Sequence, residues 1–123
     1  IVFHAAGGSG SGVFDAAVAA HAWAIGVDSD QYLTVAPEVQ QAILTSMVKR
    51  LDVAVYFVIK SIAEGAFTPG VERFDLKSGG VDYATSGGRV DDIKATLEDY
   101  REKIIAGQIV VPTVPSKPTT TTR

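Results

Sequence analysis

Apolar residues in this chain fall into short unbroken runs and longer helical stripes, punctuated by glycine, serine and aspartate. Ile1 to Ala5 is a short apolar run of the kind buried in a parallel sheet. A glycine-rich stretch, GGSGSG, follows. Val13, Phe14, Ala17, Val18 and His21 then recur at helical spacing, with Ser11 placed as the N-cap. Trp23 to Val27 (WAIGV) predicts a second buried strand, so that strand, loop, helix and strand form one right-handed βαβ unit. Residues 28–37 are polar and turn-like. Ala42 to Val48 fits a strand and the start of a following helix equally well. Leu51 to Ala63 is apolar almost all round, which predicts a largely buried helix stopped by Gly65. Alternation over Val71–Lys77 and Val81–Thr85 predicts two short strands joined at Ser78, Gly79 and Gly80. Ile93, Leu97, Tyr100 and Ile104 mark one face of an amphipathic helix. Asp91 and Asp92 suit its positive end, Lys103 its negative end and Gly107 its C′ position. Asp99 and Lys103 form an i,i+4 pair worth about 0.3 kcal/mol. The Pro/Thr-rich residues 113–123 predict a flexible tail.

Composition narrows the function classes. At 123 residues the chain is long enough for one domain with a modest core. A formal charge of −3 leaves no basic footprint and argues against nucleic acid as a partner. No apolar run reaches the roughly 20 residues that span a bilayer. The absence of cysteine excludes disulfides and thiolate metal sites. The chain opens on Ile-Val-Phe without an initiator methionine, in mid-strand by its pattern. It is therefore expected to be part of a longer protein.

The candidate chemistry lies at two loops. A strand that ends in glycines before a helix bares backbone N–H groups at the helix N-terminus, where anions and hydrogen-bond acceptors are favoured. Here the glycines are Gly7, Gly8, Gly10 and Gly12. The Lys-Ser/Thr of a nucleotide P-loop is missing, and the last gap is wrong for a dinucleotide fingerprint. A tight turn using positive φ and close approach of an uncharged ligand both remain open. The second loop, Gly26 to Gln31 (GVDSDQ), carries Asp28 and Asp30 at the end of the second strand. In an open parallel sheet, strand C-termini form the ligand crevice, so the glycine loop and Asp28 are expected at one cleft. A carboxylate accepts two hydrogen bonds at once, which suits a vicinal diol. The bland alternative is a pair of solvated or turn-capping aspartates. The loop lacks the glycine and distal glutamate of a calcium site, so no metal is expected. Lys49 either covers a helix end or reaches into the cleft beside Asp28. His4 either lines the cleft or is structural, and His21 sits near a helix end. No nucleophile–base–orienter set is apparent, which argues against an enzyme.

Several stretches fit one family together. HAAGGSGSGVFDAA, WAIGVDSDQY, ILTSMVKRLDVAVY, the TSGG of residues 85–88 and IIAGQIVVP, in that order over about residues 1–112, resemble the C-terminal portion of the basic membrane protein family. These are nucleoside-binding lipoproteins that serve ABC importers. The resemblance implies an α/β fold of type I periplasmic-binding-protein kind, a parallel sheet with flanking helices, present here as its C-terminal portion only. It implies that residues 1–41 belong to the second lobe and that 42–66 cross over to pack toward a first lobe. Residues 67–112 would supply the remaining strands and the last helix. For the site, it implies that Gly7 and Gly8 line the nucleoside pocket and that Asp28 accepts hydrogen bonds from ribose hydroxyls. Lys49 would also reach the ribose, while Asp30 and Gln31 shape the loop. Ser9 stands where the family usually has threonine, and the hydroxyl is kept.

The implied function is capture of a nucleoside, a purine first, for an ABC importer permease at the cell surface or in the periplasm, with no cofactor and no catalysis. The implied partner is an N-terminal half that carries the base-stacking aromatic and a lipid-anchored cysteine, the only attachment to membrane. The uniform apolarity of Leu51–Ala63 agrees, since such a helix needs cover on several faces. Alone, the chain is expected to expose a large apolar patch. Two other readings stay open: a doubly wound enzyme using the glycine loop for a nucleotide cofactor, and a sensor of a sugar-like ligand.

Overall fold

The computed structural model describes residues 1–114, so most of the tail expected at 113–123 lies outside the described residues. The strands are β1 (Val2–Phe3), β2 (Ala24–Asp28), β3 (Ile43–Lys49) and β4 (Val81–Tyr83). The helices are α1 (Gly10–Ala19), α2 (Pro37–Gln40), α3 (Leu51–Ala63) and α4 (Lys94–Ile105). The strands form one sheet in the order β1-β2-β3-β4. The first three are parallel, and β4 runs antiparallel to β3, with Lys49 opposite Val81.

The expected strand–helix–strand unit is β1–α1–β2, but the strand read as buried over Ile1–Ala5 is a two-residue edge strand. Ile1, Val2 and Phe3 are exposed because no element among the described residues covers that edge of the sheet. Phe14 and Ala17 of α1 are buried on Ala24, Ala42 and Ile43, with Val18, Tyr32, Val35 and Val39 around them. Three of the five buried residues are alanines, so helix and strands approach closely and one large ring, Phe14, fills the centre. The open question over residues 42–48 resolves as a strand. Ile43 and Ser46 of β3 are both fully buried, so neither face of the strand is plainly solvent-facing and the period-two signal is blurred.

Three further expectations are corrected. Ser11 is not the N-cap: α1 begins at Gly10 after Ser9, and the Ser11 hydroxyl donates to the Gly8 carbonyl at 3.2 Å from within the first turn. Val71–Lys77 is not a strand. Asp75 and Ser78 bond each other reciprocally, Asp75 N–H to Ser78 Oγ at 2.8 Å and Ser78 N–H to Asp75 Oδ1 at 3.0 Å, which closes a turn where an extended segment was expected. Third, α3 has the predicted bounds, yet none of its residues is buried; its uncovered face is the apolar patch expected of the chain alone. Leu51, Val55, Tyr56, Phe57, Ile59 and Ile62 are all exposed.

The last helix follows its pattern except at Ile93, which lies in the 3₁₀ turn Asp91–Ile93 before it and is exposed. Leu97, Tyr100 and Ile104 face Thr45, Met47, Val81 and Tyr83 across an apolar groove of about 400 Å³. Gly107 (φ 73°) takes the left-handed C′ position, and Lys103 pairs with Asp99. Tyr83 Oη donates to Glu98 Oε1 at 2.7 Å, and Arg101 pairs with Asp82, so α4 is fastened to β4 by polar contacts.

Candidate functional site

The first three strands run the same way, so their C-terminal ends share one rim. The glycine turn leaves β1 there, Asp28 is the last residue of β2, and Lys49 is the last residue of β3. Asp28 and Val48 are register partners, which puts Lys49 one residue beyond. Lys49 Nζ stands 2.7 Å from Asp28 Oδ1. The two side chains are 56% and 55% exposed, so the pair itself stabilises the fold little and both groups face solvent. The structure thus brings two of the four sequence-predicted residues into direct contact.

Gly7 and Gly8 form a single 3₁₀ turn (Gly7–Ser9) after β1. Gly7 has φ 55°, a left-handed conformation that side chains resist. Nothing lies within 4 Å of where a Cβ would stand on either residue, so both present bare main chain to open space. They share the rim with Asp28 and Lys49 by topology. Gly10 has a different reason: a Cβ there would come within 2.2 Å of the His4 ring. His4 is therefore a packed residue, 6% exposed, edge-on to Phe14 with ring centroids 5.0 Å apart. His21 lies just past the end of α1 with φ 49°, in the turn that leads to β2.

The loop after Asp28 is held by polar side chains. Asp28 itself has φ 70°. Gln31 Oε1 accepts from Val27 N–H at 2.7 Å, and Gln31 N–H donates to Ser46 Oγ at 3.1 Å. Ser86 Oγ donates to Asp30 Oδ2 at 2.6 Å, which joins the DSDQ and TSGG stretches across 56 residues of chain. Ser46 and Ser86 were not singled out by sequence reasoning. The signal for Ser46 was the Thr45-Ser46 pair inside an otherwise apolar run; Ser86 lay within the TSGG stretch without being given a role.

Next to Lys49, Arg50 begins the crossing into α3. Its guanidinium bonds both carboxylate oxygens of Asp52, with Nη2 to Oδ2 at 2.8 Å, and lies 3.8 Å from Asp82. The hydrogen bond from Arg50 lowers the Asp52 pKa to about 2. An unfolded aspartate titrates near ~3.9, so the folded state binds the proton more weakly. The contribution of this pair is present above that value and is lost as pH falls toward about 2. An NMR titration of the Asp52 carboxyl should show the low midpoint. In Arg50→Gln it should rise toward the ordinary carboxylate range, with the backbone hydrogen bonds from Asp52 and Val53 still holding it down in part.

Among the described residues, no group of three or more His, Cys, Asp or Glu side chains is arranged to hold a metal ion. No helix among them is long and apolar enough to cross a membrane.

A family model described as "Bmp: ABC transporter substrate-binding protein PnrA-like" matches residues 1–114. The chain belongs to this family. Among curated relatives, it is 33% identical over 129 residues to a CD4+ T-cell-stimulating antigen of Listeria monocytogenes, covering 94% of this chain and 36% of that protein. It is 31% identical to the ABC transporter nucleoside-binding protein BmpA of Lactococcus lactis subsp. cremoris, covering 91% of this chain and 36% of that one. The chain thus spans little more than a third of the relatives it matches. Among solved structures, an ABC transporter solute-binding protein from Aeropyrum pernix superposes with a TM-score of 0.63 at 27% identity, over 91% of this chain and 40% of that one. A Bacillus halodurans protein described as a transcriptional activator of the comK gene shares the fold, with a TM-score of 0.72 at 24% identity over 89% of this chain and 38% of that one. The expected α/β architecture of solute-binding proteins is therefore the fold of this Bmp chain.

Proposed function

We propose that this Bmp-family chain is the C-terminal portion of an extracytoplasmic solute-binding protein that captures a nucleoside, purine nucleosides first, and delivers it to an ABC importer without chemical change. The observation that carries this reading is the Asp28–Lys49 pair, 2.7 Å apart at the strand C-terminal rim. The carboxylate accepts hydrogen bonds from the two ribose hydroxyls. The ammonium donates to the same sugar and offsets the cost of covering the carboxylate. Gly7 and Gly8 let main chain approach the ligand with no side chain between. The Lactococcus lactis relative is named a nucleoside-binding protein, which supports the ligand class.

The exposed apolar surface of α3 packs in the complete protein on a preceding N-terminal half, and ligand closes the two lobes on each other. That half also carries the lipid anchor that keeps the protein at the cell surface. Thermal-shift measurements on the complete protein test the reading. Inosine, guanosine or adenosine should raise the melting temperature by mass action, with NAD and ATP inert. Stabilisation by NAD or ATP alone would instead mark a nucleotide-using enzyme.

A further inference from the structure

The side chain of Gln31 closes the bend that carries Asp28. Asp28 lies in the left-handed region, φ 70°, a conformation that costs a non-glycine residue energy and that surrounding contacts must hold. β1 pairs only with Ala24 and Ile25 and gives Val27 no partner. Gln31 Oε1 supplies the acceptor, taking the Val27 N–H at 2.7 Å. The bend is therefore bridged from the residue before Asp28 to a residue three beyond it, around the Ser29 N–H to Val27 carbonyl bond of 2.9 Å.

The same glutamine anchors the bend to the neighbouring strand. Its N–H donates to Ser46 Oγ at 3.1 Å, and Ser46 is fully buried in β3, three residues before Lys49. One strand thus carries both the anchor and the lysine that meets Asp28. Gly26 makes room for the arrangement: a Cβ there would lie 2.6 Å from Gln31 Oε1 and 2.6 Å from Ser46 Oγ. The bond from Ser86 to Asp30 at 2.6 Å adds a second attachment on the far side of the bend.

We propose that Gln31 is a positioning residue: seated over Gly26 and tied to Ser46, it holds the Asp28 carboxylate at the rim in the orientation that meets Lys49 and the ligand diol. The proposal rests on the reading that Asp28 grips sugar hydroxyls. It acts through Asp28 and makes no contact with ligand.

The test uses the complete protein, calorimetry with inosine and with 2′,3′-dideoxyinosine, and amide exchange by NMR. Gln31→Met removes the acceptor at similar length, whereas Gln31→Glu keeps one. Gln31→Met should weaken inosine binding about tenfold or more, the size of one lost positioned hydrogen bond, and Gln31→Glu by less than about threefold. In an Asp28→Ala background, Gln31→Met should change inosine affinity by less than about twofold, because coupled residues are not additive. Dideoxyinosine binding should be equally insensitive. Ser46→Ala, a milder change, should follow the same pattern.

Equal losses in both backgrounds and for both ligands would show a general structural role and overturn the proposal. Without ligand, Gln31→Met should speed exchange of the Val27 amide at least about tenfold. Unchanged Val27 protection overturns the proposal by itself. If wild type and Asp28→Ala bind inosine alike, the nucleoside reading fails, and the assignment of Gln31 to ligand positioning fails with it. Wild-type binding lost in Asp28→Ala but kept in Gln31→Met sinks the glutamine assignment alone.

Discussion

Replacing Asp28 with alanine in the complete protein should weaken ribonucleoside binding by about 2–4 kcal/mol, or roughly 30- to 1,000-fold, measured by calorimetry. The size follows from removing a charged acceptor that meets two hydroxyls and leaving Lys49, 2.7 Å away, facing the ligand without its partner. Alanine has a second effect. At φ 70° it is strained by about 1–2 kcal/mol, so some stability is lost too. Asparagine separates the two effects, since it tolerates the left-handed region and keeps one acceptor oxygen. Asp28→Asn should retain the wild-type melting temperature, because an ion pair this exposed contributes little. It should still lose most of the affinity. Unchanged affinity in both variants would remove Asp28 from the pocket.

Phe14→Ala should lower the unfolding free energy by about 3–5 kcal/mol, a large share of the ~5–15 kcal/mol that holds a typical domain together. Phe14 is 2% exposed, and the other buried members of its cluster are three alanines and Ile43. Alanines have no spare side chain with which to fill the gap, so the cost should lie toward the upper end of the range. The ring also supports the edge of His4, which in turn packs against Gly10 under the glycine turn. Urea denaturation should show the loss, and Phe14→Leu should recover about half of it. A cost below about 1 kcal/mol would mean that the helix settles onto the sheet to close the cavity.

The elements that could be read from residue order were those with one dominant face. α1 and α4 each turn a stripe of apolar residues to the sheet, and β2 is a run of small and branched residues covered on both sides. β3 was harder because its rhythm serves two purposes: Ser46 is buried in the strand to hold Gln31, where period two alone would place an apolar residue. Val71–Lys77 misled because alternation reports only which side chains suit a strand. It does not report whether a neighbouring strand is present or whether Asp75 and Ser78 will exchange bonds and turn the chain. The apolarity of α3 correctly signalled a need for cover, but its composition carries no address for that cover. At the site, strand order places Asp28 at the rim. For Lys49 the pattern over residues 42–48 does not decide between strand and helix, so only the family resemblance chooses the cleft over a helix end. The partner of Ser86 was not legible, since nothing local in the TSGG stretch points to an acceptor 56 residues away.

β3 leaves the sheet and β4 re-enters it side by side: Lys49 faces Val81, and the Arg50 N–H donates to the Gly80 carbonyl at 2.9 Å. The span 51–79 therefore departs and returns through a single corner, with its own internal edge-to-face contact of Phe57 and Phe74, ring centroids 5.6 Å apart. Lengthening or shortening such an excursion alters closure entropy only slowly. Insertions, deletions or wholesale exchange there would change what the molecule presents at that corner without re-registering a single pair of strands.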